Sequence, residues 1–157
     1  MNDTRLYEQI LGLQAPWSVQ TVTLKKEAGE IEIEVACAET LWACPECGQR
    51  MHVHGSERRR WRHLDSCQFK TFVKASVPRV RCDTHGTQMV RVPWAEVRSR
   101  FTTWFERLAI DILKECSAKA ACDLLRISWD EADGIKQRGI DRGLRRRTAE
   151  PVKRLCI

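Results

Sequence analysis

Apolar and acidic residues alternate strictly through Ile31-Glu32-Ile33-Glu34-Val35, the period of a strand with one face turned inward. Val19, Thr21 and Thr23 alternate with polar or apolar neighbours, and Ala28-Gly29 lies between the two stretches. The pair therefore reads as a β-hairpin whose Glu30, Glu32 and Glu34 face solvent, a structural role in preference to a catalytic one. Ahead of it, Thr4 to Leu13 reads as a short helix with Leu6, Ile10 and Leu13 on one side, ended by Pro16. Farther along, Gln68 to Val77 reads as a strand. Phe69, Thr71, Val73, Ala75 and Val77 lie on one face, Lys70 and Lys74 on the other, and Pro78 interrupts it.

The pattern turns helical after Val92-Pro93-Trp94-Ala95. Thr103 and Glu106 have capping-box spacing, and apolar residues recur at Phe105, Leu108, Ala109, Ile112, Leu113 and Cys116. Ser117 caps a second helix ending near Leu125. Ser128 and Glu131 form another capping box and open a third helix towards Arg147, weakened at Gly134 and Gly143. Two short helices joined by Arg126-Ile127 suggest a helix-turn-helix. Cys122 is small where the helices would cross, Ile127 fills the turn, and Ala132 and Ile135 return to the core. Arg126 stands where a turn glycine is usual, and a plain three-helix bundle is the alternative. Asp130, Asp133, Lys136, Gln137 and Arg138 would point outward. Gln137 and Arg138 suit base edges and Lys136 a phosphate, although the two aspartates would repel phosphate. Arg142, Arg145, Arg146 and Arg147 suit backbone contacts and serve equally as a solvated helix end.

Charge sharpens this picture. The net charge is +6 over 157 residues, and residues 44–100 hold 12 basic and 5 acidic side chains, a balance that suits a polyanion. Arg58, Arg59, Arg60 and Arg62 surround Trp61, a grouping that suits phosphate contacts beside a stacking or wedge residue. A solvated turn is the rival reading. No apolar run is long enough to cross a bilayer and no secretory leader is visible. Eight cysteines in such a chain point to metal binding and buried thiols in a reducing, cytoplasmic setting.

Two stretches carry the chemistry: Cys44-Pro45-Glu46-Cys47-Gly48 and Cys82-Asp83-Thr84-His85-Gly86. Each sets two ligands with two residues between them in a tight turn, with a glycine free to take positive φ directly after. Together Cys44, Cys47, Cys82 and His85 supply the four ligands of a closed tetrahedral Zn²⁺ site, and a histidine among them favours zinc over iron–sulfur. The gap from Cys47 to Cys82 exceeds the common paired-knuckle spacing, and an inserted β-hairpin carrying the arginine run accounts for it. His52, His54, His63, Cys37 and Cys67 are rival ligands, read instead as surface imidazoles and buried thiols. A zinc hydrolase or deaminase would need an open coordination position, and the deaminase signature is absent.

With these features in order, the chain resembles the N-terminal region of bacterial insertion-sequence transposases of the ISL3 family. The likeness rests on Cys44-Pro45-Glu46-Cys47-Gly48, Arg62-His63-Leu64-Asp65, Val77 to Cys82, His85-Gly86, Val92-Pro93-Trp94-Ala95 and Ser99-Arg100-Phe101-Thr102. It implies an α+β fold, a β-rich zinc-ribbon module followed by a helical helix-turn-helix module. Residues 1–95 would form the N-terminal helix, hairpin and ribbon, and 96–148 the DNA-binding helices. Residues 149–157 would be a truncated linker towards a DDE catalytic domain absent from the chain. The resemblance implies structural Zn²⁺ on Cys44, Cys47, Cys82 and His85, with a His where many members carry a cysteine. Its implied partner is double-stranded DNA at the element's terminal inverted repeats, with a second copy of the chain as a further candidate and neither membrane nor small-molecule substrate. The implied protein is no enzyme by itself. The alternatives are a transposase-derived regulator and a zinc-ribbon protein-interaction module.

Overall fold

A computed structural model describes residues 3–147, so the expected linker 149–157 lies outside the described residues. These residues form two compact units that part between Phe105 and Glu106.

In the first unit, Trp17–Lys25 (β1) and Glu30–Cys37 (β2) pair antiparallel as the alternation predicts, with Gly29 at φ +64° in the turn. Two longer strands, Arg50–Ser66 (β4) and Phe69–Cys82 (β5), form the inserted hairpin. Cys67 and Gln68 make its two-residue turn at φ 50° and 70°, the left-handed pair whose twist matches the flanking strands. Leu41–Ala43 (β3) lies along β4, and Gly86–Met89 (β6) along β5. The sheet runs β1-β2-β5-β4-β3, with β2 and β5 parallel. Ile33, Val35, Val73, Ala75 and Val77 fill its core together with Trp17, Trp61 and Trp94.

Three local expectations change. The Asp3–Leu11 helix (α1) buries Tyr7 and Leu11, four residues apart, and leaves Leu6 and Ile10 exposed. The tyrosine buries more area, and its hydroxyl donates to Ser66 Oγ at 3.1 Å. Pro78 does not interrupt β5. It falls between the stretch paired with β2 and the stretch paired with β6. Its carbonyl accepts from Val90 N–H at 3.0 Å, and a strand residue's N–H points to the same side as its carbonyl, so the missing N–H leaves the β4 ladder intact and falls opposite Val90, just past the end of β6. The glutamates of β2 are not simply solvated. Glu32 takes Lys25 at 2.8 Å and Lys74 at 2.6 Å, and these lysines hold its carboxyl below the usual range.

Helix α2 (Thr103–Glu115) starts one cap earlier than expected. The Thr102 hydroxyl accepts from Phe105 N–H at 3.3 Å, while Thr103 turns to the Trp94 carbonyl. In the second unit, Ala118–Leu125 (α3) is capped by Ser117 and ends on Arg126 at φ 56°, ψ 48°. Arginine therefore occupies the left-handed position that glycine usually fills. Trp129–Arg146 (α4) opens with the full Ser128–Glu131 capping box. Cys122, Ala132 and Ile135 are buried as the helix-turn-helix pattern requires. Gly139, which periodicity does not single out, is the glycine that matters for packing: a Cβ there would lie 2.8 Å from Ile110 Cδ1 on α2.

Candidate metal centre and nucleic-acid interface

Each metal knuckle is the turn of an antiparallel hairpin. The first joins β3 to β4: Cys44 N–H donates to Gln49 at 2.8 Å, and Gly48, at φ +76°, donates to Cys44 at 2.9 Å. The second joins β5 to β6, with Gly86 at φ +68°. Because β4 and β5 are neighbours, the two turns meet at one end of the sheet. Two side chains the sequence reading missed pin them: Arg91 reaches the Pro45 carbonyl at 3.3 Å, and Gln88 the His85 carbonyl at 2.7 Å. The three-residue spacing from His85 to Gln88 was the available signal.

The ligand atoms of Cys44, Cys47, Cys82 and His85 lie within 4.8 Å of one another. Zinc–sulfur and zinc–nitrogen bonds of ordinary length in a tetrahedron place sulfurs about 3.8 Å apart and sulfur about 3.6 Å from nitrogen. The Cys47 and Cys82 sulfurs are 3.7 Å apart. Nδ1 of His85 lies 3.5 Å from the Cys82 sulfur and 3.9 Å from that of Cys44. The donor set and its spacing fit Zn²⁺ held through Nδ1. Backbone N–H of His85, then its ring and Thr84 N–H, lower the Cys82 thiol to about 6. At Cys47 the Gln49 backbone lowers the thiol, but desolvation and the neighbouring thiols Cys44 and Cys82 together push it up. Three thiolates this close would need a cation among them, a charge that a zinc ion would supply. An ion held by all four side chains would have no open position for catalytic water.

The rival ligands stay apart from this cluster. His52 and His54 are exposed, Cys37 is half-buried, and Cys67 sits at the β4–β5 turn. His63 is buried against the Thr102 hydroxyl at 2.9 Å, and burial pushes its pKa down to about 4.

The arginine run occupies other places than a free phosphate-binding loop would give it. Arg58 pairs with Glu34 at 2.9 Å and Arg60 with Glu30 at 2.7 Å, across the sheet to β2. Arg59 lies over the Trp61 ring, 5.4 Å from its centroid. Arg62 is 7% exposed, paired with Asp65, and lies between the Phe72 and Phe105 rings. Arg62 is therefore corrected from a DNA contact to a core cation, and Trp61, 2% exposed, from a wedge to a core residue. Arg58 and Arg60 are paired because the parallel β2–β5 pairing brings the acidic row of β2 to the basic row of β4, whereas Arg62 is covered by Asp65, Phe72 and Phe105 and Trp61 by Trp94.

On α4, Lys136, Gln137, Arg145 and Arg146 are exposed, and Lys136 also meets Asp133 at 3.2 Å. Arg138 and Arg142 converge instead on Glu106, at 2.7 and 2.9 Å, and that carboxylate is 1% exposed. Glu106 was expected to reach back to Thr103; it clamps α2 to α4.

Known proteins share both halves of this arrangement. Residues 40–85 match the zinc-finger of transposase IS204/IS1001/IS1096/IS1165, and residues 90–137 match the helix-turn-helix domain of transposase family ISL3. The transposases for insertion sequence element IS1557 from two strains of Mycobacterium tuberculosis, CDC 1551 / Oshkosh and ATCC 25618 / H37Rv, are each 30% identical. In each case the match covers 88% of this chain and 33% of the relative. The chain thus spans about a third of the length of these curated relatives. No solved structure gives a significant match.

Proposed function

Because this chain belongs to the ISL3 transposase family, with that family's zinc ribbon followed by its helix-turn-helix, we propose that it recognises the terminal inverted repeats of an insertion sequence. Zn²⁺ on Cys44, Cys47, Cys82 and His85 holds the ribbon together. The observation that carries the reading is the helix-turn-helix itself. Buried Cys122, Ala132 and Ile135 with a left-handed Arg126 set α4 across α3 and leave one side of α4 open to a groove. On that side Gln137 reads a base edge, while Lys136 beside it and Arg145 and Arg146 in the last turn of α4 neutralise phosphates. Arg138 and Arg142, committed to Glu106, hold the helix in position.

The reading implies work on DNA in the bacterial cytoplasm. Among the described residues no helix is long and apolar enough to cross a membrane. Transposition chemistry needs carboxylates converging on metal ions. The match covers 33% of the IS1557 transposases, and we assign strand transfer to the part of such a transposase that lies outside it.

A gel shift with element-end and random duplexes across a salt series tests the proposal. Tighter binding to the element end, with affinity falling steeply as salt rises, is expected. Equal affinity for both duplexes would overturn it, and one or two shifted species would count the copies bound.

A further inference from the structure

A pocket of about 190 Å³ opens on the first unit beside the ribbon. Its floor is apolar, built from the buried Trp61, Val77 and Val90, and Arg59, Arg91 and Arg98 stand at its mouth. Glu96 is the acid among its lining residues, and it already has a partner. We propose that this pocket takes a single unstacked nucleobase of a DNA strand, with the neighbouring phosphates on Arg91 and Arg98; the inference rests on the reading of the chain as a DNA-binding protein.

Three observations carry it. Arg59 lies over the Trp61 ring and reaches the Met89 sulfur at 3.5 Å. A guanidinium plane held this way beside an apolar slot is a platform on which a base stacks. Arg91 spends one amino group on the Pro45 carbonyl and keeps further N–H donors for an anion. Arg98 takes φ +65° in a turn closed by Ser99 N–H on Glu96 at 3.1 Å. Glycine or asparagine fits that turn position freely and arginine does so at a steric cost, and among the described residues Arg98 makes no ion pair. A nucleotide offers both an anion for the arginines and a flat apolar face for the floor. An acidic peptide offers the first without the second.

The test compares three duplexes of one sequence: fully paired, with one extra unpaired adenine, and with an abasic residue in that extra position. The adenine bulge should bind about tenfold more tightly than the abasic one, the scale of one base stacked on a protein platform. Arg98→Gly should abolish that preference without lowering the melting temperature, because glycine suits the backbone there. Ala95→Phe, which fills the pocket, should abolish it independently. Equal affinity for the two bulges in the parent, or a preference that survives both variants, overturns the inference. So does a glutamate oligopeptide that displaces the bulged DNA, which would give the pocket to a protein partner. Binding of the paired duplex without bulge preference sinks this inference alone. Failure to bind any duplex sinks the DNA-binding reading as well.

Discussion

At the scale of single residues, His63 is a titratable group that the fold keeps neutral. Its pKa falls from 6.5 to about 4 because burial strips water from the charged ring. The unfolded chain therefore binds the proton more readily, and stability is expected to be level above pH 6.5 and to fall between pH 6.5 and about 4. The loss is at most about 3 kcal/mol. Zinc ligands also protonate in acid, so the informative quantity is the difference between the parent and His63→Gln, followed by denaturant titration at each pH. A variant with the parent's full acid slope would contradict this account. Cys47 tests the metal. The parent should carry close to one zinc per chain, and Cys47→Ser should lose it together with ordered ribbon structure, because metal binding and folding are coupled at such a site. Metal analysis after reduction and gel filtration checks this, and a parent free of zinc would refute it.

Among the elements, α2 and α4 are joined by one carboxylate and two guanidinium groups. Replacing Glu106 by Gln preserves shape and removes the charge, leaving Arg138 and Arg142 without their counter-ion. The expected cost is about 3–5 kcal/mol, as for other buried pairs broken on one side. By contrast, Ser128→Ala removes one capping hydroxyl from α4 and should cost about 1 kcal/mol. Chemical denaturation of both variants ranks them, and a Glu106→Gln cost below that of Ser128→Ala would mean that the clamp contributes little. On the sheet, the ladder from Arg58 and Arg60 to Glu34 and Glu30 is exposed enough that each pair contributes less than about 1 kcal/mol.

For the whole molecule, the charge that counts is the charge left over after internal pairing. Arg145→Ala and Arg146→Ala should each flatten the salt dependence of DNA binding by about 0.9 in log–log slope. Arg58→Gln should leave it unchanged, since that arginine is already neutralised by Glu34. Binding isotherms from low to moderate salt measure all three, and a flattened slope for Arg58→Gln would return the arginine run to the DNA interface. With Mg²⁺ and element-end DNA, this chain is expected to bind without cutting. Strand cleavage abolished by EDTA would reveal a second metal site.

Short-range chemistry determined much of this from the sequence alone. Two ligands separated by two residues and followed by glycine make a knuckle from within five residues. A serine three residues before a glutamate caps α4, and period-two alternation marks β2 and β5. Each of these needs only neighbours in the chain. The tertiary structure decided what depends on distant partners. Arg58 finds Glu34 from 24 residues away, and Arg138 finds Glu106 from 32. No local pattern announces that a basic run will be neutralised by an acidic strand, because the pairing follows from β2 and β5 lying parallel. The same holds for His63, whose neutrality comes from elements folded over it, and for Glu106, whose spacing to Thr103 imitates a cap. Ligand spacing and capping are properties of a segment; the availability of a charge is a property of the packed molecule.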